Sequence, residues 1–280
     1  MRTFAGIPEK YATLENADII LQSIPYDGTS TWGKGADKGF NAFLDASENM
    51  ELYDIETDSE VYYKGIHMPD AWTDFENPEH MFRATYNETK KLLEKDKFLT
   101  FFGGEHSISI GVIKAFYEKY KKLTVLQLDA HADLRPTYEG TPYNHACAAY
   151  DASKNTNLIQ VGIRSMDVSE KEHMNYNKVF FADDIRQGKS WIHDSLTLMT
   201  DDVYITLDLD VLDPSIMPAT GTPEPNGMLW HEIANYLSDV FDTKNVVGFD
   251  IVELAPIKGL YAPQYLAAKL YYKMLSYKFI

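Results

Sequence analysis

Cysteine is nearly absent from this 280-residue chain, where Cys147 stands alone. A single thiol excludes an intrachain disulfide framework and fits a reducing compartment. Long apolar runs are missing too: no stretch approaches the length of a membrane-spanning helix, and the opening MRTFAGIPEK has no apolar secretory core. A cytoplasmic protein with no membrane partner is the expectation. Positive charge is scarce, with 26 Lys and Arg against 42 Asp and Glu and a formal net charge of -16. Nucleic acid attracts basic surfaces, so it is not an expected partner, whereas a small cationic substrate would be favoured on approach. Repeats, low-complexity tracts and Pro/Gly/Ser linkers are also lacking, so one domain over residues 1–280 is expected. Hydrophobic residues at 45 % give ample material for a core, which argues against disorder.

What is present is an alternation of short apolar runs, polar or glycine turns, and amphipathic stretches. Strands are expected over 18–24, 98–102, 123–128, 158–163, 179–181, 203–207 and 246–251. Runs such as NLIQVGI and VVGFDI are apolar almost throughout, as strands covered on both faces should be. Helices are expected around 36–49, 78–95, 107–121, 183–199, 229–242 and 262–276, the last packing in the core or at an interface. This order points to an α/β fold with a mostly parallel sheet, whose site lies beyond the carboxyl ends of the strands. Residues 52–67 read as an inserted hairpin or irregular excursion.

Three segments place carboxylates and imidazoles where strands end. LTFFGGEHS delivers His106 into a strand-to-helix turn; TVLQLDAHADL ends in Asp129, His131 and Asp133; VYITLDLDVLDP supplies Asp208 and Asp210. Residues two apart in extended chain face the same side, so each set should converge. Alone, GGEHS or the Asp-Leu-Asp pair is commonly a turn or a helix cap, whereas DAHAD is already specific, because strand ends rarely stack three such residues. Together they bring four carboxylates and two imidazoles to one place, where the acids would repel and suffer desolvation without cations. Mixed carboxylate and imidazole ligation suits manganese, iron, cobalt or nickel better than a thiolate-preferring zinc site. Six ligands are more than one catalytic ion needs, and two ions sharing carboxylates, typically roughly 3.5–4 Å apart, use them naturally.

GGEHS, DAHADL and LDLDVLDPSIMPATGTP resemble the signature segments of the ureohydrolase family of arginases and agmatinases, and the resemblance runs from IPYDGTS to DIVELAP. It implies the three-layer α/β/α arginase-type fold and two Mn2+ ions per subunit. On matching positions, Asp129 and Asp208 would bridge the metals, His106 and Asp133 would complete one shell, and His131 and Asp210 the other. His145, in TPYNHACAAY, matches the family's proton-shuttling histidine, a task suited to an imidazole with its near-neutral pKa. Glu253, in VVGFDIVELAP, matches the glutamate that holds a planar guanidinium by paired hydrogen bonds. Asp250 reads as structural. The implied reaction is attack of metal-activated water, oriented by Asp133, on the guanidinium carbon, with release of urea and an amine.

The stretch LRPTYEGTPYN between Asp133 and His145 lacks the Thr/Ser/Asn-rich loop of arginases and resembles prokaryotic agmatinases. Agmatine hydrolysis to putrescine and urea, within polyamine biosynthesis, is therefore the leading expectation. Aminopropylagmatine, guanidinobutyrate and arginine are alternative substrates; a one-zinc deacetylase-like enzyme and a non-catalytic subunit are alternative classes. Glu139 or the ring of Tyr138 would receive the substrate's ammonium, and Asp167, in VGIRSMDVSE, would lie near it. Arg164 reads as a structural ion-pair partner and Cys147 as a small buried filler. Thr206, Met217 and Asn226 depart from the family pattern, and Met217 and Asn226 would flank the mouth. The resemblance also implies a homo-oligomer, a trimer or hexamer.

Overall fold

A computed structural model describes residues 2–188 and 190–280. The apolar runs become eight strands of one parallel sheet: β1 (Ile19–Ile24), β2 (Ile66–His67), β3 (Phe98–Gly103), β4 (Thr124–Leu128), β5 (Asn157–Ile163), β6 (Val179–Phe181), β7 (Asp202–Asp208) and β8 (Asn245–Val252). Their order is β2-β1-β3-β8-β7-β4-β5-β6. Every neighbouring pair runs parallel, so each connection must cross a face of the sheet. The crossovers carry α1 (Gly39–Ser47), α2 (Pro78–Leu92), α3 (Ile108–Lys119), α4 (Tyr150–Asn155), α5 (Ala182–Gln187), α6 (Ser190–Leu198) and α7 (Trp230–Thr243), and α8 (Ala262–Phe279) closes the chain.

Both faces of the sheet are covered, which is why its strands read as continuous hydrophobic runs. The side-chain period of two divides each strand between two cores. Ile19 and Leu21 of β1 and Leu126 and Leu128 of β4 join Phe43 of α1, Tyr236 of α7 and Tyr271 of α8 on one face. Ile20 and Ile24 of β1 and Val125 of β4 join Met81 of α2 and Phe116 of α3 on the other. The result is a three-layer α/β/α arrangement, as expected. Helix α8 buries Leu270, Tyr271, Tyr272 and Met274 and so belongs to the core, the first of the two places expected for it.

Three differences from the expected elements have physical causes. The helix expected over 183–199 is described as two, because Gly188 is extended between α5 and α6; Lys189 lies outside the described residues. Helix α4, with its polar sequence YDASKN, was not expected. The excursion at 52–67 holds an antiparallel bridge between Asp54 and Ser59, a 3-10 turn at Val61–Lys64 and the two-residue edge strand β2. Lys273 of α8 anchors it by donating to both Asp54 carboxylate oxygens at 2.8 and 2.9 Å. Among the described residues no helix is long and apolar enough to cross a membrane.

Strands β3, β8, β7 and β4 are consecutive in the sheet. Their carboxyl ends run into GGEHS, VEL, LDLD and DAHAD, so the four motif-bearing segments leave the sheet side by side.

Candidate metal centre and substrate cleft

After β3 the chain crosses the end of β1 through Gly103 and Gly104. A Cβ at Gly104 would lie 1.8 Å from the Tyr26 carbonyl oxygen, so only glycine permits the approach. Gly104 N–H then donates to Ile24 O at 2.8 Å, and the next turn carries Glu105 and His106 into the interior. After β4, Asp129 accepts from His131 N–H at 2.6 Å and from Gln127 Nε2 at 2.7 Å. After β7, Asp208 accepts from Asp210 N–H at 2.8 Å, and Asp210 from Ala130 N–H at 2.9 Å. The two aspartate-rich loops are thus fastened to each other by main-chain donors.

The expectation that extended chain alone aligns Asp129, His131 and Asp133 holds only in part. Beyond β4 the strand ends, and Asp133 takes a left-handed backbone conformation at φ 51°. Glu253 does the same at φ 68°. Such conformations cost a non-glycine residue ~1–3 kcal/mol and persist where surrounding bonds impose them. Here Ala132 N–H donates to Ser165 O, Leu134 N–H to Glu170 and Glu253 N–H to Gly104 O. Two of the residues expected to act on substrate are therefore held in strained backbone.

All six expected ligands converge. His106 Nδ1 lies 3.1 Å from Asp129, 3.2 Å from Asp133 and 3.3 Å from Asp208. His131 Nδ1 lies 2.8 Å from Asp210 and 3.7 Å from Asp129. Two clusters can hold a metal ion, His106/Asp129/Asp208 and Asp129/His131/Asp210, and Asp129 belongs to both. Burial pushes Asp129 above the usual carboxylate range, and the charge of Asp210 adds to this. Burial with the Asp129 charge raises Asp133 to about 7. Burial alone would lower His131, but Asp210 and its other acidic neighbours overturn that and raise it to about 11. The cluster holds more negative charge than it can bury without a bound cation, whether protons or metal ions.

The donor atoms themselves favour a metal. Thr206 Oγ1 donates to Asp250 Oδ1 at 2.7 Å. A hydroxyl has one hydrogen, so Thr206 can only accept from His106 Nε2, at 2.9 Å. The neutral ring then carries its proton on Nε2 and turns the Nδ1 lone pair toward three carboxylates. Nδ1 is buried and makes no hydrogen bond despite these short distances. A lone pair facing acidic oxygens is what ligands around a cation present. Asp250 is structural in this sense, since it accepts from Tyr204 and Thr206 and thereby orients His106.

The clusters open into a cleft of about 290 Å³ also lined by His145, Glu253, Tyr138, Asp167, Arg135 and Glu170. Glu253 Oε1 accepts from His106 N–H at 2.8 Å. Burial, with Glu105 nearby, raises the Glu253 carboxyl well above its ordinary value. Burial lowers His145 to about 4, which leaves the ring neutral near pH 7. Asp167 caps the turn at Val168–Glu172 through Oδ1, which accepts from Ser169.

Several expectations at the substrate end need correction. Glu139 is exposed at φ 48° on the tip of a turn closed by Tyr138 and Thr141, and it does not line the cleft. Tyr138 does line it, but the Arg135 guanidinium already covers its ring at 4.4 Å. Met217 is fully buried in the core, and Asn226 donates to Asp183, so neither flanks the mouth. Among the described residues Arg164 makes no side-chain ion pair; it donates to the carbonyls of Asp210, Glu224 and Pro225, pinning the loops beside the acidic clusters. Cys147 is a buried filler whose thiol is pushed up to about 12 by burial. Arg135 and Glu170 were missed as cleft residues. Glu170 ties the Asp133 loop to the Asp167 loop by accepting from Leu134 N–H at 2.7 Å and Asp167 N–H at 2.6 Å.

Fold and site together define an α/β enzyme built around an aspartate–histidine centre able to hold metal. The chain belongs to the arginase family, whose model matches residues 17–276. It is 35 % identical to the N(1)-aminopropylagmatine ureohydrolase of Thermus thermophilus, over 96 % of this chain and 93 % of that one. It is 31 % identical to the agmatinase of Bacillus subtilis, over 87 % of this chain and 85 % of that one. The agmatine ureohydrolase structure from Thermoplasma volcanium superposes with a TM-score of 0.88 at 28 % identity, covering 99 % of this chain and 94 % of that one.

Proposed function

We propose that this enzyme cleaves a guanidinoalkylamine to urea and an amine using two Mn2+ ions, with N1-aminopropylagmatine ahead of agmatine as substrate. The observation that carries the reading is that Glu253, His145 and members of both ligand clusters line one cleft. The sequence alone put agmatine first. The relatives named for aminopropylagmatine, 32 % and 35 % identical over 96 % of the chain, support reversing that order. The acidic composition also suits a substrate with more than one positive charge.

In this reading His106, Asp129, Asp133 and Asp208 hold one ion and Asp129, His131, Asp208 and Asp210 the other. Bound there, divalent ions would supply the Lewis acidity that makes water nucleophilic near neutral pH. The protein's own groups do the rest. Glu253 Oε1 is engaged by His106 N–H, and the carboxylate charge pairs with the guanidinium and sets its central carbon over the clusters. Asp133 accepts a hydrogen bond from the attacking water and orients it. His145, neutral at rest, takes onto its ring the proton that the attacking water gives up and hands it to the departing amine nitrogen as the C–N bond breaks. Asp167, which lines the cleft with Oδ2 4.0 Å from the Arg135 guanidinium, would meet the substrate's distal ammonium. Product amines of this kind are polyamines, and we place the enzyme in the cytoplasm as a single-domain homo-oligomer.

The test is urea release by manganese-loaded protein offered aminopropylagmatine, agmatine, guanidinobutyrate and arginine in parallel. Preference for aminopropylagmatine supports the full reading. Preference for agmatine keeps the reaction and restores the sequence-based order. A preference for either carboxylate-bearing substrate overturns the substrate class and shifts attention to Arg135.

A further inference from the structure

Glu105 is a buried carboxylate beside the centre that neither ligand cluster nor substrate recognition uses. It is fully buried between Gly104 and His106, and three donors converge on it. Thr29 Oγ1 donates to its Oε1 at 2.9 Å, Ser107 Oγ to the same oxygen at 2.7 Å, and Ser107 N–H to Oε2 at 3.0 Å. Thr29, itself buried, also meets His145 twice. His145 N–H donates to Thr29 Oγ1 at 3.0 Å, and His145 Nδ1 lies 3.2 Å from the same oxygen.

A hydroxyl has one hydrogen and two lone pairs. The Thr29 hydrogen points to Glu105, so both lone pairs remain for His145, one for the main-chain N–H and one for the ring. The ring must then carry its proton on Nδ1. That leaves the Nε2 lone pair for the cleft that His145 lines. Reversing the tautomer would set the Nδ1 and Thr29 lone pairs against each other, unless the hydroxyl abandoned Glu105 and left a buried carboxylate short of a donor. The same oxygen fixes the backbone at His145 and the orientation of its ring, so position and tautomer are set together.

We infer that Thr29, held by Glu105, is a positioning residue that fixes the tautomer and orientation of His145 so that Nε2 serves the leaving amine. The inference rests on the reading that His145 handles the leaving-group proton. It assigns a task to a residue of the IPYDGTS segment, 116 residues away in the chain from the histidine it steers.

The test compares Thr29→Val, Thr29→Ser and His145→Ala with the wild type in steady-state urea release, with bound metal measured for each. Thr29→Val is expected to lower kcat about 10- to 100-fold, a share of what general acid–base groups typically contribute, while KM and metal content hold. Thr29→Ser, which keeps the hydroxyl, is expected to recover kcat to within about threefold. Wild-type kcat in Thr29→Val alongside an impaired His145→Ala overturns the inference and leaves the role of His145 standing. Wild-type turnover in His145→Ala overturns both. A neutron structure of the metal-loaded wild type needs no variant: a deuteron on His145 Nδ1 supports the inference, and one on Nε2 with Nδ1 bare overturns it.

Discussion

Glu253 and His106 meet through the main chain: Glu253 Oε1 accepts from His106 N–H at 2.8 Å, while Glu253 N–H donates to Gly104 O at 2.9 Å. The carboxylate proposed to hold substrate is thereby locked to the segment that supplies His106, a proposed metal ligand. Glu253→Gln keeps the shape and an acceptor for His106 but loses the charge that pairs with a guanidinium. It is expected to cut kcat/KM by about 100-fold or more, as for a truncated buried charge pair, with metal content unchanged. Steady-state kinetics with metal analysis checks this; loss of metal instead would make Glu253 a structural residue of the centre.

Asp129 is the residue common to both ligand clusters. Asp129→Ala is expected to lower bound metal and to abolish turnover, whereas removing a residue of one cluster, as in His131→Ala, should weaken one site more than the other. Metal stoichiometry by elemental analysis separates the two cases. Full activity in Asp129→Ala would sink the proposed mechanism.

Metal binding and pH should be linked with a definite sign. In the cation-free protein Asp133 is raised to about 7 and His131 to about 11. Both shifts are upward, so the folded state binds more protons than the unfolded chain. For Asp133 that stabilising difference is fully present below about 4, the unfolded carboxylate value, and is lost as pH rises through about 7. For His131 it is fully present below about 6.5 and is lost as pH rises toward about 11. The two act together and outweigh His145, whose lowered value works the other way over this range, so the cation-free protein should melt at a lower temperature at pH 8 than at pH 5.5. Metal replaces these protons, so the rise in Tm on adding Mn2+ should be larger at pH 8. Calorimetric scans at both pH values decide it; a larger increment at pH 5.5 would contradict the account.

Thr206 stands between Asp250 and His106 Nε2, with bonds of 2.7 and 2.9 Å. Thr206→Val keeps the shape and removes the acceptor that fixes the ring. Losing a partner of this kind typically weakens metal binding about 10- to 100-fold. Isothermal titration with Mn2+ measures the change, and an unaltered affinity would show that packing alone orients His106.

The distal ammonium offers a contrast between Asp167 and Glu139. Asp167→Asn keeps a good cap for the turn that follows, because Asn and Asp cap helices about equally well. It is expected to raise KM for a cationic substrate about tenfold, the loss of one charge-assisted hydrogen bond. Glu139→Gln should leave KM unchanged, since Glu139 does not line the cleft. The reverse ranking would return the ammonium to the Tyr138–Thr141 turn.

The seven strands expected from apolar runs are all present, most because a parallel strand covered on both faces declares itself over five or more residues, and β6 because Val179–Phe181 is apolar throughout. Strand β2 does not, since two residues on an edge carry no periodicity. The convergence of the six candidate ligand residues was legible because each motif follows such a run. The way Asp133 reaches the centre was not, because a left-handed φ at an aspartate depends on bonds from Ser165 and Glu170, which lie in another loop. Thr29 escaped for a related reason: its partners Glu105 and His145 lie 76 and 116 residues away, and a threonine in a loop has no local signature. Glu170 does have one, the capping box it forms with Asp167, but its bond from Leu134 N–H spans 36 residues. Glu139 shows the opposite error, a suggestive residue beside the site in sequence that the turn geometry keeps out of the cleft.

Titrating Mn2+ into metal-free protein while following urea formation from aminopropylagmatine and agmatine tests the central claim most directly. The account predicts activity that rises with metal and levels off at two ions per chain, in keeping with the two clusters that share Asp129. Full activity at one ion, or no urea with two ions bound, would contradict it.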